Sequence, residues 1–168
     1  MRTRRAGTLI VASALSVALV LAGVALAATI RGTQAGETLN GTTAGDVIVA
    51  KGGNDTVNGD AGNDRIGGGR GNDTLNGDAG NDVIRDRAGF DTVDGGTEDD
   101  FIGSRGHQAQ VDTIACGDGE NDTVRASKHD VVAADCEIVT KPGTKGKGGA
   151  KPPAEEPPAV VTEEPPAV

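Results

Sequence analysis

Aspartate recurs at Asp46, Asp55, Asp64, Asp73, Asp82, Asp91 and Asp100, nine residues apart each time, in a chain of 168 residues. Rows of carboxylates suit two kinds of chemistry. One is paired acid–base catalysis; the other is coordination of a cation through oxygen. The surrounding residues favour coordination. His107 and His129 stand singly in polar loops, and Ser104 and Ser127 lack a nucleophile-elbow context. Gly67-Gly68-Gly69 has no Walker lysine beside it. No EF-hand loop with its distal glutamate is present. The donors on offer are carboxylates and turn carbonyls, without Cys or His in the repeat. An all-oxygen site with many ligands favours Ca²⁺ over the stricter octahedral Mg²⁺.

The elements that hold such a row follow from the period. Each of the five Asp from Asp55 to Asp91 has Gly two residues earlier (Gly53, Gly62, Gly71, Gly80, Gly89) and a branched aliphatic two residues later (Val57, Ile66, Leu75, Ile84, Val93). Ile48 and Ile102 extend the pattern at its ends, and Glu37 with Leu39 extends it weakly. Nine residues are too few for a helix and its turn. They suit a short strand plus a tight turn, with the aliphatic pointing inward. Gly before Asp allows positive φ in the turn, and Asn54, Asn63, Asn72 and Asn81 tolerate the same region. Two units make one flattened coil, and coils stack through parallel strands. The expected fold is all-β, a parallel β-roll or β-helix solenoid.

Stacking sorts the carboxylates into two rows. Asp46, Asp64, Asp82 and Asp100 line one edge; Asp55, Asp73 and Asp91 line the other. Neighbouring strands lie about 4.8 Å apart. Unit charges at that spacing repel by about 3.5 kcal/mol at an effective dielectric of 20. One inward aliphatic per repeat is too little to offset this, so the fold calls for cations between the carboxylates.

The segments Gly59-Asp-Ala-Gly-Asn-Asp-Arg-Ile-Gly67, Gly68-Gly-Arg-Gly-Asn-Asp-Thr-Leu-Asn76 and Gly77-Asp-Ala-Gly-Asn-Asp-Val-Ile-Arg85 resemble the nonapeptides of the RTX (hemolysin-type) calcium-binding family. The resemblance spans roughly Gly41 to Gly103. It implies a β-roll with Ca²⁺ between turns, held by repeat Asp carboxylates and turn-glycine carbonyls. The ligand set it implies is Asp46, Asp55, Asp64, Asp73, Asp82, Asp91 and Asp100, with carbonyls from Gly53, Gly62, Gly71, Gly80 and Gly89. Asp60 and Asp78 replace a family glycine, where a carbonyl ligand is the expectation. Ala44, Glu98 and Asp86-Arg87 are further departures.

The ends differ in chemistry from the middle. Residues 28–139 hold all 17 aspartates, 21 of the 27 glycines and no proline, and carry 21 acidic against 9 basic residues. The chain has no Trp or Tyr and two Phe, so an ordinary aromatic core is excluded. The acidity argues against nucleic acid as a partner. Arg2, Arg4 and Arg5, an apolar run from Leu9 to Leu26, and Ala25-Leu26-Ala27 form a signal peptide over 1–27 with cleavage before Ala28. An uncleaved anchor is the alternative; after cleavage no membrane contact is expected. Residues 140–168 are rich in Gly and Lys and then in Pro and Glu, and are expected to be a disordered tail. A wall or surface partner would engage that tail.

After Asp100 the register slips, yet Asp112, Asp122 and Asp130 keep an aliphatic two residues on. Residues 104–139 are therefore expected to be terminal coils, following the 28–103 roll. Cys116 and Cys136 lie 20 residues apart, about one coil. In an exported chain they should pair as a staple; two free thiols are the alternative. This end resembles the terminal coils of small secreted actinobacterial calcium-binding proteins. The whole reads as an extracellular calcium-binding protein without catalysis, folded by its metal. The competing reading is a surface or adhesion protein that uses the roll as a rigid spacer.

Overall fold

The structure, a computed structural model, describes residues 25–105, 110–142 and 147–148. The apolar N-terminal run up to Val24, His107 and the Pro/Glu-rich tail lie outside the described residues. Threonine or another strand former next to each repeat Asp starts a short strand, and the turn glycines end it. The chain thereby makes fourteen strands and, among the described residues, no helix.

Strands alternate between two sheets. Along the chain they are Thr29–Arg31 (β1), Thr38–Thr42 (β2), Val47–Gly52 (β3), Thr56–Asp60 (β4), Arg65–Arg70 (β5), Thr74–Asn76 (β6) and Val83–Asp86 (β7). Then come Thr92–Thr97 (β8), Phe101–Ser104 (β9), Thr113–Asp118 (β10), Thr123–Arg125 (β11), Val131–Val132 (β12), Ile138–Thr140 (β13) and Lys147–Gly148 (β14). Odd-numbered strands up to β13, with β14 at the edge, form the larger sheet; the even-numbered strands from β2 to β12 form the smaller. All pairings are parallel except β13 with β14. The result is a solenoid of about six coils, the expected fold class.

The register is one coil of 18 residues. Ile48 pairs with Ile66, Ile66 with Ile84 and Ile84 with Ile102. On the other sheet Val57 pairs with Leu75 and Leu75 with Val93. These two stacks, continued by Ile114 and Val124, are at most 2% exposed and form the core. Alternation puts Asp, the aliphatic and a small residue inward on each unit, and Thr, Arg or Asn outward. The slip after Asp100 is an insertion: Thr92 pairs with Thr113 and Phe101 with Thr123. The coil then regains its period, since Thr113 pairs with Val131.

The Cys116–Cys136 disulfide is formed, with Cα atoms 5.2 Å apart, and closes the C-terminal coils. Cys116 continues the inward row that Gly59, Gly77 and Gly95 occupy in earlier coils and is fully buried.

Two local expectations are corrected. None of Asn54, Asn63, Asn72 and Asn81 has positive φ. Their side-chain oxygens instead accept the backbone N–H one coil on: Asn54 from Asn72, Asn63 from Asn81, Asn72 from Phe90, Asn81 from Asp99. The amide group serves better as an inter-coil acceptor than as a tolerator of strain. Gly89 also lacks positive φ, whereas Gly53, Gly62, Gly71 and Gly80 have it. Lys51, Asp60, Asp78 and Glu98 take the left-handed region too, where glycine is the usual occupant.

Candidate metal centre

The repeat carboxylates do not merely line the edges. Asp46, Asp55, Asp64, Asp73, Asp82, Asp91 and Asp100 are all buried, between 1% and 3% exposed. Parallel stacking explains how. Each Asp sits where its coil leaves the turn, and one carboxylate oxygen accepts the main-chain N–H of the equivalent residue one coil earlier. Asp64 Oδ1 accepts from Asp46 at 2.6 Å, Asp82 from Asp64 at 2.7 Å and Asp100 from Asp82 at 2.8 Å. On the other edge Asp55 accepts from Glu37 at 2.8 Å, Asp73 from Asp55 at 2.9 Å and Asp91 from Asp73 at 2.7 Å. Asp112, Asp122 and Asp130 continue the ladders.

The second oxygens behave differently. Oδ2 of Asp55, Asp64, Asp73, Asp82, Asp91 and Asp100 is buried without a hydrogen-bond partner, as is that of Asp122. At the ends of the rows the protein itself supplies donors. Thr42 N–H reaches Asp46 Oδ2 at 2.6 Å, and Ser104 Oγ donates to Oδ2 of both Asp112 and Asp130. Orphaned carboxylate oxygens thus fill the middle of the solenoid. A buried acceptor without a donor costs on the order of 1–3 kcal/mol, more when charged. A cation satisfies such oxygens directly.

The orphans converge with carbonyls on positions that carry no side chain. A Cβ at Gly59 would stand 2.5 Å from Asp64 Oδ2 and 2.3 Å from the Gly77 carbonyl. At Gly77 the neighbours are Asp82 Oδ2 at 2.3 Å and the Gly95 carbonyl at 2.2 Å; at Gly95 they are Asp100 Oδ2 at 2.4 Å and the Cys116 carbonyl at 2.6 Å. At each of these glycines an Asp Oδ2 and a carbonyl oxygen of the next coil come together, hard oxygens of the kind Ca²⁺ takes. The carbonyls of Gly77 and Gly95 are absent from the sequence-derived ligand set. The signal that could have found them is the glycine five residues before Asp64, Asp82 and Asp100.

The turn glycines of that set have a second constraint. A Cβ on Gly71 would lie 1.8 Å from the Gly53 carbonyl, and one on Gly89 would lie 1.9 Å from that of Gly71. Carbonyls of successive turns therefore point along the stack at the next turn. Gly62 faces Gly80 in the same way at 2.3 Å.

Asp86, which departs from the Gly-Gly of neighbouring units, comes to the same region of the fold. Its side chain is 2% exposed and both its oxygens lack hydrogen-bond partners. It offers ligand atoms together with Asp73 and Asp91, all within 4.8 Å of one another. A Cβ at Gly68 would stand 2.6 Å from Asp86 Oδ1 and 2.8 Å from Asp73 Oδ2, so both carboxylates reach this glycine.

Electrostatics record the same crowding. Burial first, then neighbouring carboxylates, raises Asp64 and Asp73 to about 6 and Asp82 and Asp100 to about 7, against the backbone N–H bonds that lower them. Burial and the adjacent Asp91 push Asp86 up strongly. Arrays of this kind resist ionisation at neutral pH unless positive charge enters.

The family model for the RTX calcium-binding nonapeptide repeat (4 copies) matches residues 31–66, 40–75 and 76–104. No curated protein and no solved structure matches the chain.

Proposed function

Taking the chain as an RTX-type calcium-binding repeat protein, we propose that Ca²⁺ entering between its turns drives the solenoid to fold outside the cell. The observation that supports this most is the row of buried, unpartnered Oδ2 atoms from Asp55 to Asp100. The ligands are Asp55, Asp64, Asp73, Asp82, Asp91 and Asp100 with Asp86 added, and the carbonyls of Gly53, Gly62, Gly71, Gly80 and Gly89 with those of Gly77 and Gly95. Asp46 contributes least, because Thr42 already satisfies its second oxygen. Calcium supplies the positive charge that lets the carboxylates ionise together; the chain supplies their positions through the amide ladder.

The role is structural and non-enzymatic. Residues 1–27 direct export, 28–103 form the calcium roll, 104–139 cap it through the disulfide, and 140–168 form a spacer. An extracellular site suits the mechanism, since calcium is abundant there and Cys116 and Cys136 stay oxidised. Native mass spectrometry of residues 28–168 in calcium tests it. Several bound ions, lost together with compactness on chelation, are expected. A chain that binds none, or stays compact without them, contradicts the proposal.

A further inference from the structure

The first rung of one aspartate ladder is unlike the rest. Beyond Asp46, each carboxylate of that row takes its backbone donor from another aspartate: Asp64 from Asp46, Asp82 from Asp64, Asp100 from Asp82. Asp46 takes its own from Ala28, 18 residues back. Its other donors are the Thr42 N–H at 2.6 Å and, more weakly, the Thr42 hydroxyl at 3.3 Å. Among the described residues these are its only hydrogen-bond donors, and all are neutral in the continuous chain. Asp46 is nonetheless 1% exposed. A buried carboxylate without a counter-charge is costly. Unlike Asp55 to Asp100, it leaves no buried oxygen unpartnered, so it offers little to an entering metal ion.

Ala28 is also where the chain is expected to be cut. Ala25-Leu26-Ala27 carries the small residues that a leader peptidase reads before its scissile bond. All three are exposed and belong to no strand, and Leu26 is 69% exposed. The roll begins one residue on. Ala28 is half-buried and its carbonyl accepts the Val47 N–H at 2.9 Å. Strand β1 then starts at Thr29, in register with Val47. The scissile bond and the first rung therefore share one atom, the nitrogen of Ala28.

We infer that hydrolysis of the Ala27–Ala28 bond turns the first rung into an ion pair, with the Ala28 α-ammonium as the counter-charge of Asp46. The inference rests on the reading of residues 1–27 as an export segment. Water gives its oxygen to the Ala27 carbonyl carbon and its two hydrogens to the products; the C–N bond breaks, leaving a carboxylate on Ala27 and an ammonium on Ala28. The ammonium keeps the N–H that the amide presented and adds positive charge at the same place. It does for Asp46 what metal is proposed to do for Asp64, Asp82 and Asp100. The Val47 bond and the β1 pairing already hold this nitrogen against Asp46, so the pair needs no rearrangement of the coil. Half-burial of Ala28 sets the order: cutting precedes closure of the first coil, and the roll reaches full stability only after the leader is gone.

The test starts from the full chain expressed in a secreting bacterial host, with the N-terminus of the secreted protein read by mass spectrometry. Ala28 is expected as its first residue. Three forms are then compared in urea melts at saturating calcium: the chain from Ala28 with a free amine, the same chain acetylated at that amine, and the chain that keeps Ala27. The last two retain the Ala28 N–H but remove or displace the charge. A charge-assisted hydrogen bond is about twice as strong as a neutral one, so both should fold with an equilibrium constant about tenfold smaller than the free-amine form. In Asp46→Asn the three forms should agree, because the side chain no longer carries charge. Circular dichroism in calcium checks that each form folds; the parent comparison stands by itself if that variant does not. Equal stability of the free and acetylated parents would overturn the inference and leave the export and calcium readings intact. A difference that persists in Asp46→Asn would give the ammonium another partner and overturn it as well. A secreted chain that starts elsewhere, or that keeps residues 1–27, would overturn the export reading and the inference with it.

Discussion

Asp82 Oδ1 accepts the main-chain N–H of Asp64, one coil back, at 2.7 Å, while Asp82 Oδ2 is buried with no donor. One half of the carboxylate builds the fold and the other half opposes it. Every repeat unit from Asp55 to Asp100 shares this division, and the proposed calcium dependence rests on it.

Asp82→Asn therefore acts in opposite directions with and without metal. The amide oxygen keeps the ladder bond and removes the charge. In chelator the variant should be more stable than the parent, by on the order of 3 kcal/mol at neutral pH. In calcium it should need more metal to fold. Urea melts in both conditions check this; a loss of stability in chelator would show that the charge is not what opposes the metal-free fold.

Acidity should have the same two-sided effect. Asp64 and Asp73 titrate near 6 in the fold and Asp82 and Asp100 near 7, against 3.8 in the open chain. Between 3.8 and those values the folded chain holds more protons than the unfolded one. The metal-free roll is thus most stable below about pH 4 and loses stability as pH rises through 6 and 7. With calcium the trend reverses, because protons displace the metal. Thermal melts from pH 4 to 8, with chelator and with calcium, should give slopes of opposite sign.

Asp86→Gly restores the small residue that its row carries at Gly68. It should stabilise the metal-free chain and lower the affinity of the proposed calcium site that it shares with Asp73 and Asp91. Terbium luminescence titration reads the affinity. An unchanged titration would remove Asp86 from the ligand set.

The disulfide should matter in both states. Opening a loop of this length costs about 3 kcal/mol. Cys116→Ser/Cys136→Ser should melt several degrees lower even at saturating calcium. Thiol titration of the native parent should find no reactive cysteine.

The coil of 18 residues and the inward aliphatic stack were legible in the sequence because each follows from spacing; the Cys116–Cys136 pair was legible from a separation of about one coil in a chain expected to be exported. The outward position of Arg65 and Arg85 follows from strand alternation. What spacing does not carry is how each polar atom is satisfied. The Asn side chains serve as inter-coil acceptors, and each Asp carboxylate divides into a laddered and an unpartnered oxygen; both depend on the rise between coils. Asp86 was invisible as a ligand for the same reason. Its sequence neighbours are Arg85 and Arg87, and only folding brings it to Asp73 and Asp91.

The central claim is that metal, not the aliphatic stack, decides whether this chain folds. Far-UV circular dichroism of residues 28–168, recorded in chelator and then through a calcium titration, tests it most directly. The account predicts a largely disordered spectrum in chelator at pH 7.5 and a cooperative rise of β-structure as calcium is added. A full β-spectrum in chelator, unchanged by calcium, would contradict it.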